Sequence, residues 1–401
     1  MEFKKVKLGE IGKIVGGGTP KTKEESYYGG EIAWITPKDL SLNKSKYIFY
    51  GERNITEEGL KNSSAKLLPK GTVLFSSRAP IGYVAIAGND LATNQGFKSV
   101  IPAENVDSEF IYYLLINNVE NIKNFGVGST FREVSGSVMK NIEVMIPDFS
   151  IQRKIAKILN TLDSKIEINN KIISNLESQA QAIFKSWFVD FEPFQDGDFV
   201  ESELGMIPEG WEVKELGEII NLYDNKRVPI SKMDRDKMEK NYPYYGANGI
   251  IDYVDNYLFD GKYLLMGEDG TVRTEEGFPI LNYVDEKFWV SNHAHIMRGT
   301  LVSTEYIYLL LSKMFINNIV TGAVQEKINQ RNLKKIKIIF PEKKELESFE
   351  KIIEPMFKMK LYLNNQNTKL AELRDALLPK LMAGEIDVSN IKIEGEEVKN
   401  E

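Results

Sequence analysis

Two spacings of apolar residues alternate along the chain. In the first third they come as short runs bounded by turn formers. EIAWITP (31–37), GTVLFSS (71–77), GYVAIAG (82–88) and KSVIP (98–102) have strand length, and SEFIYYLLINN (108–118) has helical spacing. The same kind of pattern returns later, with GKYLLMGEDG (261–270), ILNYV (280–284) and KFWVSNHAHIM (287–297) as strands and STEYIYLLLSK (303–313) as a helix. After each set the spacing changes to threes and fours. Ile151, Ile155, Ile158, Leu162, Ile166, Asn169, Ile173 and Leu176 form a coiled-coil seam, with Ser150 as the expected N-cap. Leu346, Phe349, Ile353, Met356, Lys360, Leu363, Asn367, Leu370, Arg374 and Leu377 form a more broken one, where Pro355 predicts a kink. Asn169 and Asn367 lie on the seams, a placement that fixes register at some cost in stability. A helix of roughly 37 residues is about 55 Å long. That exceeds what one preceding domain can cover, so the two seams are expected to pair with each other, antiparallel, with a globular part at each end. The competing expectation is two unrelated amphipathic helices, each packed on its own domain.

The two sets are copies. LGEI stands at Leu8–Ile11 and again at Leu216–Ile219, each time just after Val-Lys. FIYYLLI (110–116) answers to YIYLLLS (306–312), and FGVGSTFREVSGSVMKNIEVMIPD (125–148) to IVTGAVQEKINQRNLKKIKIIFPE (319–342). In the last pair Gly128 matches Gly322, Val134 matches Ile328, and Pro147 matches Pro341. The order of blocks is kept while the offset shrinks, which indicates duplication of a unit of roughly 200 residues, far above solenoid periods. Each copy is a loop-rich α+β domain followed by a long helix. The copies diverge most at loops and strand ends, as expected of one frame reading two ligands.

Composition narrows the class. A chain of 401 residues predicts two or more domains, and 42% hydrophobic with 27% charged residues is ordinary for a soluble protein. No apolar run has membrane or signal-peptide length, and a cytoplasmic location is expected. The absence of cysteine excludes disulfides, thiolate catalysis and Cys-ligated zinc. Net charge is −7, but it is uneven: residues 1–190 sum to +3, 191–384 to −6, and 385–401 to −4. The last stretch reads as an acidic, disordered tail. The charge total gives a nucleic-acid partner no support.

Catalytic signatures fail one by one. GGGTP (16–20) has no GK[ST] after it and reads as a flexible turn rather than a phosphate cradle. His293 and His295 are the only histidines; at i and i+2 on a strand both would face one side, but two ligands are too few for a metal site. No N/D-P-P-Y/F loop, no acid–spacer–lysine nuclease pair and no repeated Ser/His/Asp set occurs. What recurs is polar chemistry suited to base edges, with amides for adenine, Arg or Lys for guanine, and hydroxyls for either. The first copy offers Ser76, Ser77, Arg78, Thr93, Asn94, Gln95, Lys98, Thr130 and Arg132. The second offers Tyr245, Asn248, Arg273, Asn292, His293, His295, Gln325, Lys327 and Arg331. Asn94 is matched with Asn292, and Gln95 with His293. Taken singly, each is as well explained as a solvated surface residue.

IPDFSIQRKIAKILNTLDSKIEINNKIISNLESQAQAIFKSWFVDFEPF (146–194), GMIPEGWEVKELGEI (205–219), YPYYGANGIIDYVDNYLFDGKYLLMGEDGT (242–271) with FWVSNHAHIM (288–297), and KLAELRDALLPKLMAGEIDV (369–388) together resemble the specificity (S) subunit of type I restriction-modification systems over essentially the full length. The resemblance implies an α+β fold of two globular target-recognition domains separated by a pair of long antiparallel coiled-coil helices, with a pseudo-two-fold internal repeat. The domains fall at 1–147 and 191–341 (approach segment 191–210), the long helices at 148–190 and 342–384, and the tail at 385–401. It also implies a double-stranded DNA target in two gapped halves, with half-sites roughly one helical turn (about 34–36 Å) or more apart. Two modification (M) subunits and restriction (R) subunits are implied as partners, with no membrane and no metal. Catalytic residues and cofactors are absent from this chain on that reading; adenosylmethionine and ATP with Mg belong to the partner subunits, which flip and methylate adenine and cut DNA. The first domain (GGGTPKTKEESYYGGEIAWITPKDL) is of a different subclass from the second, so the half-sites are expected to differ. The alternative is a scaffold protein without DNA specificity.

Overall fold

The computed structural model describes residues 1–43, 45–128, 132–322 and 325–392. The chain divides into two compact units, Met1–Asn169 with the part from Gln366 onward, and Asn170–Asn365. The division cuts through both long helices, so each unit owns half of each.

In the first unit, five strands form one sheet in the order Gly12–Gly16, Lys98–Pro102, Val73–Ser77, Ile81–Ala87, Tyr47–Ile48. Arg53–Ile55, Tyr28–Ile35 and Ala92–Thr93 form a second. Phe3–Lys7 pairs antiparallel with Glu143–Pro147. Helix Ser108–Asn124 starts where the Asp107 carboxylate accepts the Phe110 N–H at 2.8 Å, and buries Phe110, Ile111, Leu114 and Leu115. The core continues into Ile155, Ala156 and Leu159 of the first long helix and Leu378, Leu381 and Met382 of the second.

In the second unit, six strands run in the order Ile220–Leu222, Ala294–Gly299, Phe259–Gly267, Leu281–Val290, Tyr242–Gly246, Gly249–Val254. Glu212–Glu215 pairs with Lys337–Phe340 as its counterpart does in the first unit. An aromatic core of Phe184, Phe188, Trp211, Tyr306 and Phe349 holds the helices to the sheet, with the Phe188 and Phe349 rings 4.7 Å apart.

Main-chain hydrogen bonds show that the units share one frame. Leu8 N–H donates to Ile142 O, and Leu216 N–H to Ile336 O. Ala103 N–H donates to Ile11 O, and Thr300 N–H to Ile219 O. Asn94 N–H donates to Ile35 O, and Ser291 N–H to Tyr245 O. In LGEI every position has a use. Leu8, Ile11, Leu216 and Ile219 are buried. Glu10 and Glu218 accept the N–H of Lys7 and Glu215 at 3.3 and 2.7 Å, closing a one-turn helix. Gly9 and Gly217 lie against Lys140 and Lys334, where an added Cβ would sit within 3.1 and 2.8 Å of them.

The long helices run Phe149–Phe188 and Lys343–Met382, 40 residues each. Within the first unit Asp163 meets Arg374 at 2.8 Å and Asn169 donates to Asn367 and Gln366 at 2.8 Å, so the helices run antiparallel there. In the second unit Glu177 meets Lys360 at 3.2 Å and Phe188 meets Phe349, again antiparallel. No seam residue among Ile151, Ile155, Ile158, Leu162, Ile166, Ile173, Leu176, Leu346, Phe349, Ile353, Met356, Leu363, Leu370 and Leu377 is exposed.

Several expectations need correction. Helix 149–188 starts before Ser150, since Asp148 O already accepts from Ile151 and Gln152. KFWVSNHAHIM is not one strand: it ends at Val290, turns through Ser291–His293, and restarts at Ala294. Residues 385–392 are no frayed tail, because Val388 is fully buried and Ser389 O accepts from Lys154 at 2.7 Å; residues 393–401 lie outside the described residues. GGGTP is no flexible turn either. An added Cβ at Gly17 would fall 2.0 Å from Asn94 O and one at Gly18 2.2 Å from Ala65 N, so these glycines let backbones touch.

Candidate nucleic-acid interface

The loops that carry most of the polar candidates leave from one crossing of main chains in each unit. In the first, Ser77 N–H donates to Gly96 O at 2.7 Å and Ser77 O accepts from Val134 at 3.0 Å. In the second, Glu268 N–H donates to His293 O at 2.8 Å and Glu268 O accepts from Ile328 at 2.8 Å. These bonds make Ser77 the counterpart of Glu268, Gly96 of His293 and Val134 of Ile328. By continuity Asn94 answers to Ser291, Gln95 to Asn292 and Lys98 to His295. Matching Asn94 with Asn292 by identity is therefore one residue out of register.

Around this crossing the charges are exchanged. In the first unit Arg78 and Lys98 share Glu133, at 3.4 and 3.0 Å. In the second the Arg78 position is Asp269 and the Glu133 position is Lys327. Lys327 reaches Glu268 at 3.3 Å, and Asp269 takes the exposed His293 at 2.6 Å. Arg227 adds a short ion pair with Glu268 and donates to the carbonyls of Asn292 and Ala294 at 3.2 and 2.9 Å. Arg273 pairs with Glu326, which holds its guanidinium above the usual range.

Burial removes five candidates from reach of any ligand. Ser76 is fully buried; its hydroxyl donates to Pro80 O at 2.8 Å and accepts Tyr83 N–H at 2.8 Å. The buried Ser77 hydroxyl donates to Gly96 O. Thr93 is buried, its hydroxyl without a partner among the described residues. Tyr245 is buried and donates to Glu286 at 2.9 Å; burial, then that carboxylate, push its phenol up. His295 is buried between Asp224 Oδ2 at 2.6 Å and Ile328 O at 2.7 Å. Both ring nitrogens therefore face oxygen atoms. Lys98 in one unit and His295 in the other thus stand at the same place. Burial works against ionised Asp224, but the bonds from His295 and Ile296 outweigh it and hold the carboxyl below its ordinary value. His293 and His295 are not a pair: one is on the turn in solvent, the other under it. Asp224, Glu268 and His295 bring three metal-type donors within 4.8 Å, yet Arg227 and Gln330 already occupy the two carboxylates.

The exposed candidates are Gln95, Arg132, Asn248, Asn292, His293, Gln325, Lys327 and Arg331; Arg78, Asn94, Lys98 and Arg273 are half-buried. The Thr19 hydroxyl donates to Gln95 Oε1. Asn94 Oδ1 caps Gly96 N–H at 2.8 Å, shaping the turn that presents Gln95. Arg132 donates to Gly126 O at 3.3 Å. The side chains of Asn248, Asn292, Gln325 and Arg331 have no hydrogen-bond partner among the described residues. Arg331 stands apart from the crossing on the short helix Gln330–Lys334. Thr130 lies outside the described residues. Base-edge chemistry alone does not single out Thr19, Glu133, Arg227, Glu268 or Asp269; of these, Glu133 and Asp269 stand where the other unit has the opposite charge, Lys327 and Arg78.

Two equivalent loop clusters rich in amides and cations, on a duplicated α+β frame with paired long helices, define a two-site recognition protein. Residues 1–178 and 208–373 match the family described as type I restriction modification DNA specificity domain. The chain is 37% identical over 412 residues to the type I restriction enzyme MjaIX specificity subunit of Methanocaldococcus jannaschii, covering 97% of this chain and 94% of that one. It is 25% identical over 439 residues to the type I restriction enzyme HindI specificity subunit of Haemophilus influenzae, covering 88% and 94%. The crystal structure of the type I restriction-modification system S subunit from M. genitalium shares the fold, with a TM-score of 0.58 at 17% identity over 95% of this chain and 96% of that one. The chain belongs to the type I restriction-modification specificity subunit family.

Proposed function

We propose that this chain reads double-stranded DNA in two different half-sites, one for each unit, through the loops around the Ser77 and Glu268 crossings. The carrying observation is the shared frame: the same main-chain bonds present Gln95 and Asn292 at the same turn, amid different charges. An amide at that point can bond adenine through two hydrogen bonds, and the neighbouring Arg78, Lys98 and Lys327 offer cations to phosphate or guanine. As a specificity subunit the chain carries no catalysis of its own. Modification and restriction subunits are its partners, two of the former in the full assembly, and they bring adenosylmethionine, ATP and Mg. No helix among the described residues is long and apolar enough to cross a membrane, in keeping with a cytoplasmic assembly on DNA.

Methylome sequencing of a host carrying this chain with its partner subunits tests the reading. A bipartite, gapped motif is expected, and a continuous motif overturns it. Replacing residues 1–145 by those of another member should change one half of the motif; a change in both halves would contradict one reader per unit.

A further inference from the structure

Each unit gathers a carboxylate, a lysine and a phenol, buried or half-buried, where its sheet meets the long helices. In the first unit Glu109, in the first turn of helix Ser108–Asn124, accepts from Lys46 at 3.0 Å and from the Tyr47 hydroxyl at 2.5 Å. Lys46 is only 4% exposed in its side chain and lies 5.1, 6.0 and 5.6 Å from the ring centres of Tyr47, Tyr112 and Tyr113. It also bonds Asn160 of the first long helix, where Glu167 accepts the Ser45 hydroxyl at 2.8 Å. Tyr113 continues the chain to Asp163 at 2.5 Å, which pairs with Arg374 of the second long helix.

In the second unit the N-cap Ser303 accepts from Tyr306 N–H, as Asp107 does from Phe110, which makes Glu305 the counterpart of Glu109. Glu305 accepts from Lys262 at 2.7 Å and the Tyr283 hydroxyl at 2.8 Å. The Tyr283 ring lies 5.1 Å from Phe357 on the second long helix, and Tyr308 bonds Glu177 on the first. The lysine and phenol come from different places in the two units. Tyr283 lies on strand Leu281–Val290 at the position of Ile86, since Tyr283 pairs with Leu264 as Ile86 pairs with Val73. In the first unit a separate strand lays Tyr47 beside Ile86. Sequences that differ at every partner have arrived at one polar cluster.

Stability is a poor explanation, because a buried ion pair is on balance about as stable as well-packed apolar residues of the same volume. What it adds is a single geometry. We infer that Glu109 with Lys46 and Tyr47, and Glu305 with Lys262 and Tyr283, are positioning residues that hold each recognition domain at one angle on its own stretch of helix, and so limit the gap lengths that its half-site tolerates. The inference rests on the two-half reading of DNA proposed above.

The test uses the full complex with its partner subunits and duplexes whose gap is cognate, one base pair longer or one shorter. For the double variants Lys46→Met/Glu109→Leu and Lys262→Met/Glu305→Leu, methylation of wrong-gap duplexes relative to cognate should rise about tenfold, with the methylated motif unchanged in its bases. Tyr47→Phe and Tyr283→Phe keep the rings, remove one hydroxyl, and should raise the same ratio about threefold. A ratio unchanged in assembled complexes overturns the inference, as does a change in the bases read. Should the double variants fail to assemble, the phenylalanine variants alone decide. A wild-type complex indifferent to gap length would overturn the two-half reading instead, a result visible before any variant is made.

Discussion

The frame and the loop ends of the two units obey different rules. Along the frame, Leu8 and Leu216, Ala103 and Thr300, and Asn94 and Ser291 make the same main-chain bonds. Two positions past that last pair stand Gly96 and His293, and across the crossing Arg78 faces Asp269 as its counterpart and Glu133 faces Lys327. Main-chain polar groups in the interior must be paired, and only a few register solutions pair all of them. Exposed loop side chains carry no such obligation, so the charges at these matched positions are exchanged and find different partners in each unit. The fold is conserved by satisfaction of the backbone and the address is varied on top of it.

Three measurements press on that comparison. The largest effect concerns the carboxylates Glu109 and Glu305. Glu109→Ala strands Lys46, 4% exposed, and should cost about 3–5 kcal/mol. Glu305→Ala leaves Lys262, 33% exposed, able to reach water, and should cost about 1–3 kcal/mol. Denaturant unfolding followed by amide exchange in each unit reads both; equal costs would show that burial of the lysine does not govern the difference. Next come the reading loops. Gln95→Ala and Asn292→Ala should each weaken discrimination at one base of one half-site by about 1–3 kcal/mol, seen as a relaxed position in the methylated motif with folding intact. Relaxation in both halves from one substitution would break the equivalence of the two loops.

The smallest effect is with acid. In the second unit Asp224 titrates below its ordinary value through His295, and Asp252 is held down to about 2 by Lys240, Tyr253 N–H and Arg235. Carboxyls lowered by folding add stability that is whole above their unfolded pKa and disappears as pH falls through the folded one. In the first unit burial raises Asp107, so protonation there favours the fold. Acidification below about pH 4 should therefore lower amide-exchange protection in the second unit before the first, by about 1 kcal/mol. Loss in the opposite order would mean that other groups dominate.

Much of the frame was legible in the chain. The apolar runs located most strands within a few residues, KSVIP at its full extent, and the seams located both long helices. The repeat was legible from LGEI because each of its four letters has a fixed task. Register at the loops was not, because identity paired the two asparagines while the backbone pairs Asn94 with Ser291. Burial was the other blind spot. Ser76, Ser77, Thr93, Tyr245 and His295 have the chemistry of base contacts, and nothing in their letters tells that internal acceptors or the core already claim them. The paired histidines fell to the turn at Ser291–His293, which breaks the alternation that a single strand would have given them. The glycines of GGGTP were read for freedom, whereas Gly17 and Gly18 are there for closeness.

Tyr47 and Tyr283 put a hydroxyl at one point in space from two unrelated places in the repeat. Comparing the halves column by column sets Tyr283 against Ile86 and finds no kinship at all. Selection acting on such a molecule counts atoms rather than columns. A second-site revertant of Tyr47→Phe is therefore to be sought at Ile86, 39 residues away along the chain and immediately beside it across the sheet.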